Sequence, residues 1–118
     1  MMTMVYIFIG GGVGSVLRWA VGEGFKSLWS HPYAILGGTL VANLLACLIL
    51  GYVLAKAPQQ KTIFLLAVGL CGGFSTFSTF SNEVLNLLKQ GEFWLPLSYV
   101  VLSVAMGLGA LFLGAKVA

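Results

Sequence analysis

Four apolar stretches dominate this sequence, and each is long enough to cross a lipid bilayer as an α-helix. They cover residues of about 4–21, 33–55, 62–88 and 93–115, and a spanning helix needs about 20 residues. Helices satisfy their own backbone hydrogen bonds, which is why lipid admits them and excludes irregular chain. The sequence therefore predicts an all-α membrane protein with a single four-helix transmembrane domain over residues 1–118.

The composition is that of a protein whose surface mostly faces lipid. Hydrophobic residues make up 59% of the chain and charged residues 8%, whereas soluble domains carry about 25% charged residues. The six Lys and Arg residues form no basic cluster that would mark a nucleic-acid site. Cys47 and Cys71 fall within apolar spans, so we interpret both as small buried hydrophobic residues rather than a disulfide or a metal pair.

The basic residues divide evenly between the two sides of the membrane. The side that holds both termini carries the three residues Lys56, Lys61 and Lys116. The opposite side carries the three residues Arg18, Lys26 and Lys89. Orientation normally follows an excess of Lys and Arg in cytoplasmic loops, so an even tally favours neither orientation. The simple inference is insertion both ways, which makes an antiparallel, dual-topology homodimer possible, although one charge assigned to the wrong side would break the tie.

Small and polar residues recur at every fourth position of the first two spans, so each set lies on one helical face. Gly10 and Gly14 form a small-x-x-x-small surface that favours close helix packing. Arg18 ends this face and can reach the interface or pair with a carboxylate. In the second span, Thr39 and Asn43 share a face. An amide at mid-membrane needs partners, which either a polar passage or another helix can supply.

The third span combines an ordinary apolar helix, up to Leu70, with an unusual second half. Gly72 and Gly73 weaken the helix, and five of the seven residues from 75 to 81 carry hydroxyls that offer the backbone other hydrogen bonds. We therefore predict a break in this helix near 72–79. Carbonyls freed by a break suit a hard cation, whereas a new helix N-terminus suits an anion.

Aromatic rings and further hydroxyls complete the polar inventory of the spans. Three rings recur every three residues, so they share a helical face: Phe74, Phe77 and Phe80. Ring edges are positive and can face an anion, but on spacing alone packing against other helices is the simpler interpretation. Tyr99, Ser103 and Gly107 recur at every fourth position of the fourth span, and the first two add hydroxyls. Neutral donors without a deep carboxylate fit a small anion.

The segment 72–83 reads GGFSTFSTFSNE and closely resembles the signature of the Fluc/CrcB fluoride channels. The Gly-rich first span with Arg18, the mid-span Asn43, and Tyr99 with Ser103 are similar to this family too. The resemblance implies an antiparallel dimer with two pores, through which fluoride leaves the cytoplasm of a microbe passively. A bacterial plasma membrane is the expected location.

The resemblance also implies roles for individual residues. A structural sodium ion is expected at the dimer interface, held by backbone carbonyls of Gly72 and Ser75 from each copy. The ring edges of Phe77 and Phe80 are expected to contact fluoride. The residues expected to line the pore with polar groups are Asn43, Thr79, Tyr99, Ser103 and Thr39. Those expected near a pore mouth are Arg18 and Glu83.

Two other functions are compatible with four spans. Small multidrug transporters have four spans and often dual topology, but they use a carboxylate deep in the first span, and no Asp or Glu precedes Arg18 here. A purely structural membrane subunit would need neither the mid-span Asn43 nor a hydroxyl-rich break. We therefore expect a fluoride-selective channel rather than an enzyme.

Overall fold

A computed structural model describes residues 2–30, 33–56, 59–75 and 77–118, and within these ranges all regular structure is helical. The helices are α1 (Met2–Leu28), α2 (Ala34–Lys56), α3 (60–74), α4 (Phe77–Lys89) and α5 (Trp94–Val117). The stretches long and apolar enough to span a membrane are Met2–Leu28, Ala34–Lys56, Gln60–Lys89 and Trp94–Val117. The prediction of an all-α, multi-pass membrane protein with four spanning helices is confirmed.

Helix α3 does not keep a regular α-helical winding. Its first residues, Gln60–Thr62, are α-helical, Ile63–Cys71 form a π-helix, and Gly72–Phe74 are α-helical again. The prediction of an ordinary helix up to Leu70 is therefore wrong about the helix type, since most of this segment is a π-helix. Apolar side chains fit the normal and the wider helix equally, so their pattern does not distinguish the two. Short π-helical segments frequently lie at functional sites.

The helical backbone of α3 ends at Phe74. Ser75 is extended, with φ −99° and ψ 148°, and α4 begins at Phe77. Both glycines that precede Phe74 are helical, so the change of backbone conformation follows the glycine pair instead of falling on it. Thr76 belongs to the predicted break near 72–79 but lies outside the described residues, and the break as a whole stays a prediction.

Glycines allow α1 to lie directly against α3. A Cβ on Gly10 would meet the carbonyl oxygen of Leu65, and a Cβ on Gly14 would meet that of Leu70. Any side chain at these two positions would force the backbones apart. The predicted small-x-x-x-small packing surface of the first span is confirmed.

A second close contact, which no spacing in the sequence reveals, joins α2 to α5. The contact is reciprocal: a Cβ on Gly51 would meet the carbonyl oxygen of Leu111, and a Cβ on Gly114 would meet that of Leu48. Gly51 lies on the same face of α2 as Asn43, two turns further along. The contact therefore turns the polar face of α2 towards α5.

We expect Gly114→Ala to destabilise the protein, because the added methyl group would collide with the Leu48 carbonyl and separate α2 from α5. Overpacking of this kind costs about 1–3 kcal/mol. Thermal unfolding in detergent measures the effect as a lower midpoint temperature. Gly109→Ala is the matched control on the same helix, since nothing lies within 4 Å of a Cβ there. Equal midpoints for the two variants would contradict the contact.

Candidate functional site

Side chains from α2, α4 and α5, together with Ser75, surround a cavity of about 270 Å³. The residues that line it, and that define the Asn43 cavity, are Asn43, Cys47, Ser75, Phe77, Phe80, Ser103 and Val104. Asn43 and Cys47 lie one turn apart on α2, as their spacing predicts. None of these lining residues carries a charge, so the described wall of the cavity offers neutral dipoles and aromatic rings.

The hydroxyl of Ser103 stands out among the groups of the Asn43 cavity. Its Oγ is buried and has no hydrogen-bond partner among the residues that the structure describes. Buried polar groups almost always have a partner, and a buried hydroxyl without one costs about 1–3 kcal/mol. Ser103 can therefore bond a water molecule or an ion that enters the cavity.

Phe77 and Phe80 both line the Asn43 cavity, and Phe74 does not. The ring centroids of Phe77 and Phe80 are 6.1 Å apart, and Phe80 lies 5.0 Å from the ring of Tyr99. Phe77 is 79% exposed, whereas Phe74 is 4% exposed and lies in the core. The prediction that the three rings share one face is wrong for Phe74. The extended Ser75 interrupts the helical repeat on which that prediction depended.

The two cysteines have different environments. Cys71 is 4% exposed and lies in a core cluster with Ala42, Ala46 and Phe74. Cys47 is half-buried and lines the Asn43 cavity. The prediction of a small buried hydrophobic residue is confirmed for Cys71 and wrong for Cys47, which lines the Asn43 cavity and is only half-buried.

Glu83 joins three helices through hydrogen bonds that its place in the sequence does not reveal. Thr39 Oγ1 donates to one carboxylate oxygen at 2.7 Å, and the Tyr99 hydroxyl donates to the other at 2.8 Å. Glu83 and Tyr99 are each 6% exposed. Both distances are typical of O–H···O hydrogen bonds. The clue in the sequence is that an acid within a span needs partners, and hydroxyls on the neighbouring spans are the available donors.

A second cavity, of about 250 Å³, lies beside α1 and contains the cationic groups of this region. Among its lining residues, those that define the Arg18 cavity here are Arg18, Glu23, Lys26, Thr39 and Thr79. Arg18 Nε donates to the carbonyl oxygen of Gly73 at 3.2 Å. Lys26 pairs with Glu23 at 3.9 Å, and this is the one salt bridge among the described residues. Arg18 and Glu83 therefore form no ion pair.

Gly72 and Ser75, the expected sodium ligands, sit at the end of α3. A Cβ on Gly72 would meet nothing within 4 Å, so its backbone can be approached closely. Ser75 is extended, and its carbonyl therefore points away from the direction of the helical carbonyls before it. No group of three or more His, Cys, Asp or Glu side chains that could hold a metal occurs within the described ranges. Backbone oxygens in open surroundings fit a hard cation.

The structure distributes the expected site residues over two neighbouring cavities. The Asn43 cavity collects Asn43, Phe77, Phe80 and Ser103, together with Ser75. The Arg18 cavity collects Arg18, Thr39 and Thr79. Tyr99 and Glu83 connect to the second group through Thr39. Because Thr39 and Asn43 are one turn apart on α2, the two cavities follow each other along the same helical face.

Known proteins resemble this chain over almost its whole length. The family model described as CrcB-like protein, Camphor Resistance (CrcB), matches residues 5–115. A protein named fluoride-specific ion channel FluC, from Leptospira interrogans serogroup Icterohaemorrhagiae serovar copenhageni, is 42% identical over 95% of this chain and 91% of its own length. A protein of the same name from Flavobacterium psychrophilum is 38% identical over 100% of this chain and 98% of its own length. Another, from Pectobacterium atrosepticum, is 44% identical over 87% of this chain and 83% of its own length. The chain belongs to the CrcB-like protein family.

Proposed function

We propose that this protein is a fluoride-selective ion channel, not an enzyme. The observation that carries the proposal is the Asn43 cavity, where an amide, a buried hydroxyl and aromatic rings meet. Among the residues that the structure describes, the hydroxyl has no partner and none of those lining the cavity is charged. The relatives' name, fluoride-specific ion channel, supports fluoride as the ion. Fluoride flows passively out of the cytoplasm, across the inner membrane of a bacterium.

The chemistry of the cavity suits a small anion that must give up its water. The Asn43 amide offers two N–H donors and Ser103 one O–H donor, while the edges of Phe77 and Phe80 present weak positive charge. Conduction requires binding that is favourable enough for entry and weak enough for release. Neutral donors meet both conditions, whereas a fixed cation in the cavity would hold the ion.

The Arg18 cavity forms the mouth of the proposed path. Arg18 and Lys26 place positive charge beside Thr39 and Thr79, and positive charge at an opening concentrates anions there. Lys26 is partly neutralised by Glu23, so Arg18 is the main attracting group. An ion that enters here passes along the face of α2 towards Asn43.

An antiparallel homodimer with two pores completes the proposal. The equal numbers of Lys and Arg on the two sides of the membrane favour insertion both ways. The Asn43 cavity opens at the surface of the single chain, where Phe77 is 79% exposed. A second chain packed over Phe77 would close the cavity into a path.

A structural sodium ion on the dimer axis belongs to the same proposal. Gly72 and Ser75 of each copy would hold it through backbone carbonyls, at a break in the third span. The extended backbone of Ser75 and the open surroundings of Gly72 support this assignment. When bound, the ion supplies positive charge that fixes carbonyls of both copies in one place. A high-resolution density map with only water on the axis would contradict it.

Ion efflux from liposomes tests the proposed function. Purified protein is reconstituted into vesicles loaded with potassium fluoride or potassium chloride, and a potassium ionophore balances the charge. We expect fast fluoride loss and negligible chloride loss, because the cavity replaces the hydration shell of the smaller ion only. Vesicles without protein give the leak. Equal rates for the two ions would contradict a fluoride-selective channel.

A further inference from the structure

We infer that Cys47 is a pore residue, and that its thiol makes the channel a target for soft metal ions such as Hg²⁺. The inference rests on the proposed function and extends it to a residue outside the expected set of pore residues. It also supplies a polar atom beyond Ser103, at the level where α5 has only Gly107.

The position of Cys47 on α2 places it within the same cavity as the central amide. Cys47 follows Asn43 by one helical turn, and both line the Asn43 cavity. Cys47 is half-buried, and it is one of the residues that line this cavity. An ion that reaches Asn43 is therefore within one turn of the thiol.

The facing helix has no side chain at this level. Cys47 Sγ lies 3.6 Å from the position that a Cβ on Gly107 would take. Gly107 follows Ser103 by one turn on α5. At the level of Ser103 the hydroxyl comes from α5, and one turn further along the polar atom is the Cys47 sulfur on α2. The thiol of Cys47 thus occupies the level at which α5 offers only backbone.

The neighbouring hydroxyl supports a ligand at this level of the cavity. Ser103 Oγ is buried, has no hydrogen-bond partner within the described part of the chain, and lines the same space as Cys47. A group that enters the cavity can bond Ser103 and contact the thiol at once. An S–H group is a weak donor, so its effect on fluoride is modest, but its sulfur is a strong ligand for soft metals.

Binding of mercuric chloride is a ligand exchange without change of oxidation state. The thiol of Cys47 loses its proton to water, its sulfur bonds the mercury, and one chloride leaves. The product carries a bulky S–Hg–Cl group within a cavity of about 270 Å³. Fluoride then has neither the space nor the free donors that it needs beside Asn43.

Fluoride efflux from liposomes with and without mercuric chloride tests the inference. We expect the wild-type rate to fall at least about tenfold, because a soft sulfur holds the metal firmly in the path, and to recover with dithiothreitol. Cys47→Ser keeps a donor and removes the sulfur, so the fluoride efflux of this variant, measured against its own rate before treatment, should not fall when mercuric chloride is added. Cys71→Ala is the matched control: Cys71 lies in the core, so the variant should stay as sensitive as the wild type.

Mass spectrometry of the treated protein keeps the test decisive if Cys71→Ala does not fold. We expect the mercury adduct on Cys47 and not on Cys71. Fluoride efflux that continues at full rate with Cys47 modified would overturn the inference alone, and so would a blocked Cys47→Ser variant. Absence of fluoride efflux before mercury is added would instead overturn the proposed function, and the inference with it.

Discussion

Replacing Phe77 and Phe80 together by isoleucine is expected to reduce fluoride efflux on the order of 100-fold while dimers still form. Isoleucine is also apolar but has no ring, so the aromatic rings that line the Asn43 cavity, whose edges carry positive charge, are lost. A rate about 100-fold lower corresponds to about 2.7 kcal/mol of lost stabilisation, at about 1.36 kcal/mol per factor of ten. The Phe80 ring also packs 5.0 Å from Tyr99, and the branched side chain would disturb that contact.

Efflux from liposomes measures this loss, with size-exclusion chromatography as the check on assembly. Phe112→Ile is the matched control, because Phe112 is 71% exposed and lines neither the Asn43 cavity nor the Arg18 cavity. We expect the control to conduct at nearly the wild-type rate. If the double variant conducts as fast as Phe112→Ile, the two rings do not belong to the path.

Asn43→Asp is expected to have a still larger effect on fluoride efflux. The change removes both N–H donors and adds a negative charge to a cavity lined only by neutral residues. Two like charges about 4 Å apart repel by about 4 kcal/mol near a protein surface, which corresponds to a rate on the order of 1000-fold lower. The size of the side chain hardly changes, so folding and assembly should persist.

The same substitution at an exposed site tests whether the loss of efflux comes from a negative charge within the cavity or from any added negative charge. Asn82→Asp on α4 is the matched control, since Asn82 is exposed and lines neither the Asn43 cavity nor the Arg18 cavity. A fluoride electrode records both variants in parallel with the wild type. We expect nearly normal efflux from Asn82→Asp. Similar rates for the two variants would remove Asn43 from the conduction path.

Spacing along the sequence predicts which residues share a face wherever the helix stays regular. Asn43 and Cys47 lie in one cavity, as their separation of four residues requires. The same reasoning fails across Ser75, where Phe74 turns into the core and Phe77 turns outward. An extended residue changes the rotation between the helices on either side, so a count of residues no longer corresponds to an angle.

Spacing along the sequence does not predict which helix packs against a given helical face. The paired contacts of Gly51 and Gly114 depend on how α2 and α5 cross, and no local pattern in either helix encodes that crossing. The bonds of Glu83 to Thr39 and Tyr99 likewise join residues 44 and 16 positions apart. The position of Glu83 within a spanning segment predicts that its carboxyl group needs hydrogen-bond partners. Only the packed helices show that these partners are Thr39 and Tyr99.

A hydroxyl group has a single proton to donate, and Thr39 and Tyr99 both direct theirs to Glu83. Their oxygens then present only lone pairs to the surrounding space, and lone pairs repel an anion. If the proposed path runs past these two residues, fluoride would find a donor there only after a hydroxyl rotates or the carboxylate moves aside. On the proposed path, transit along this stretch would therefore require a side-chain rearrangement at Glu83.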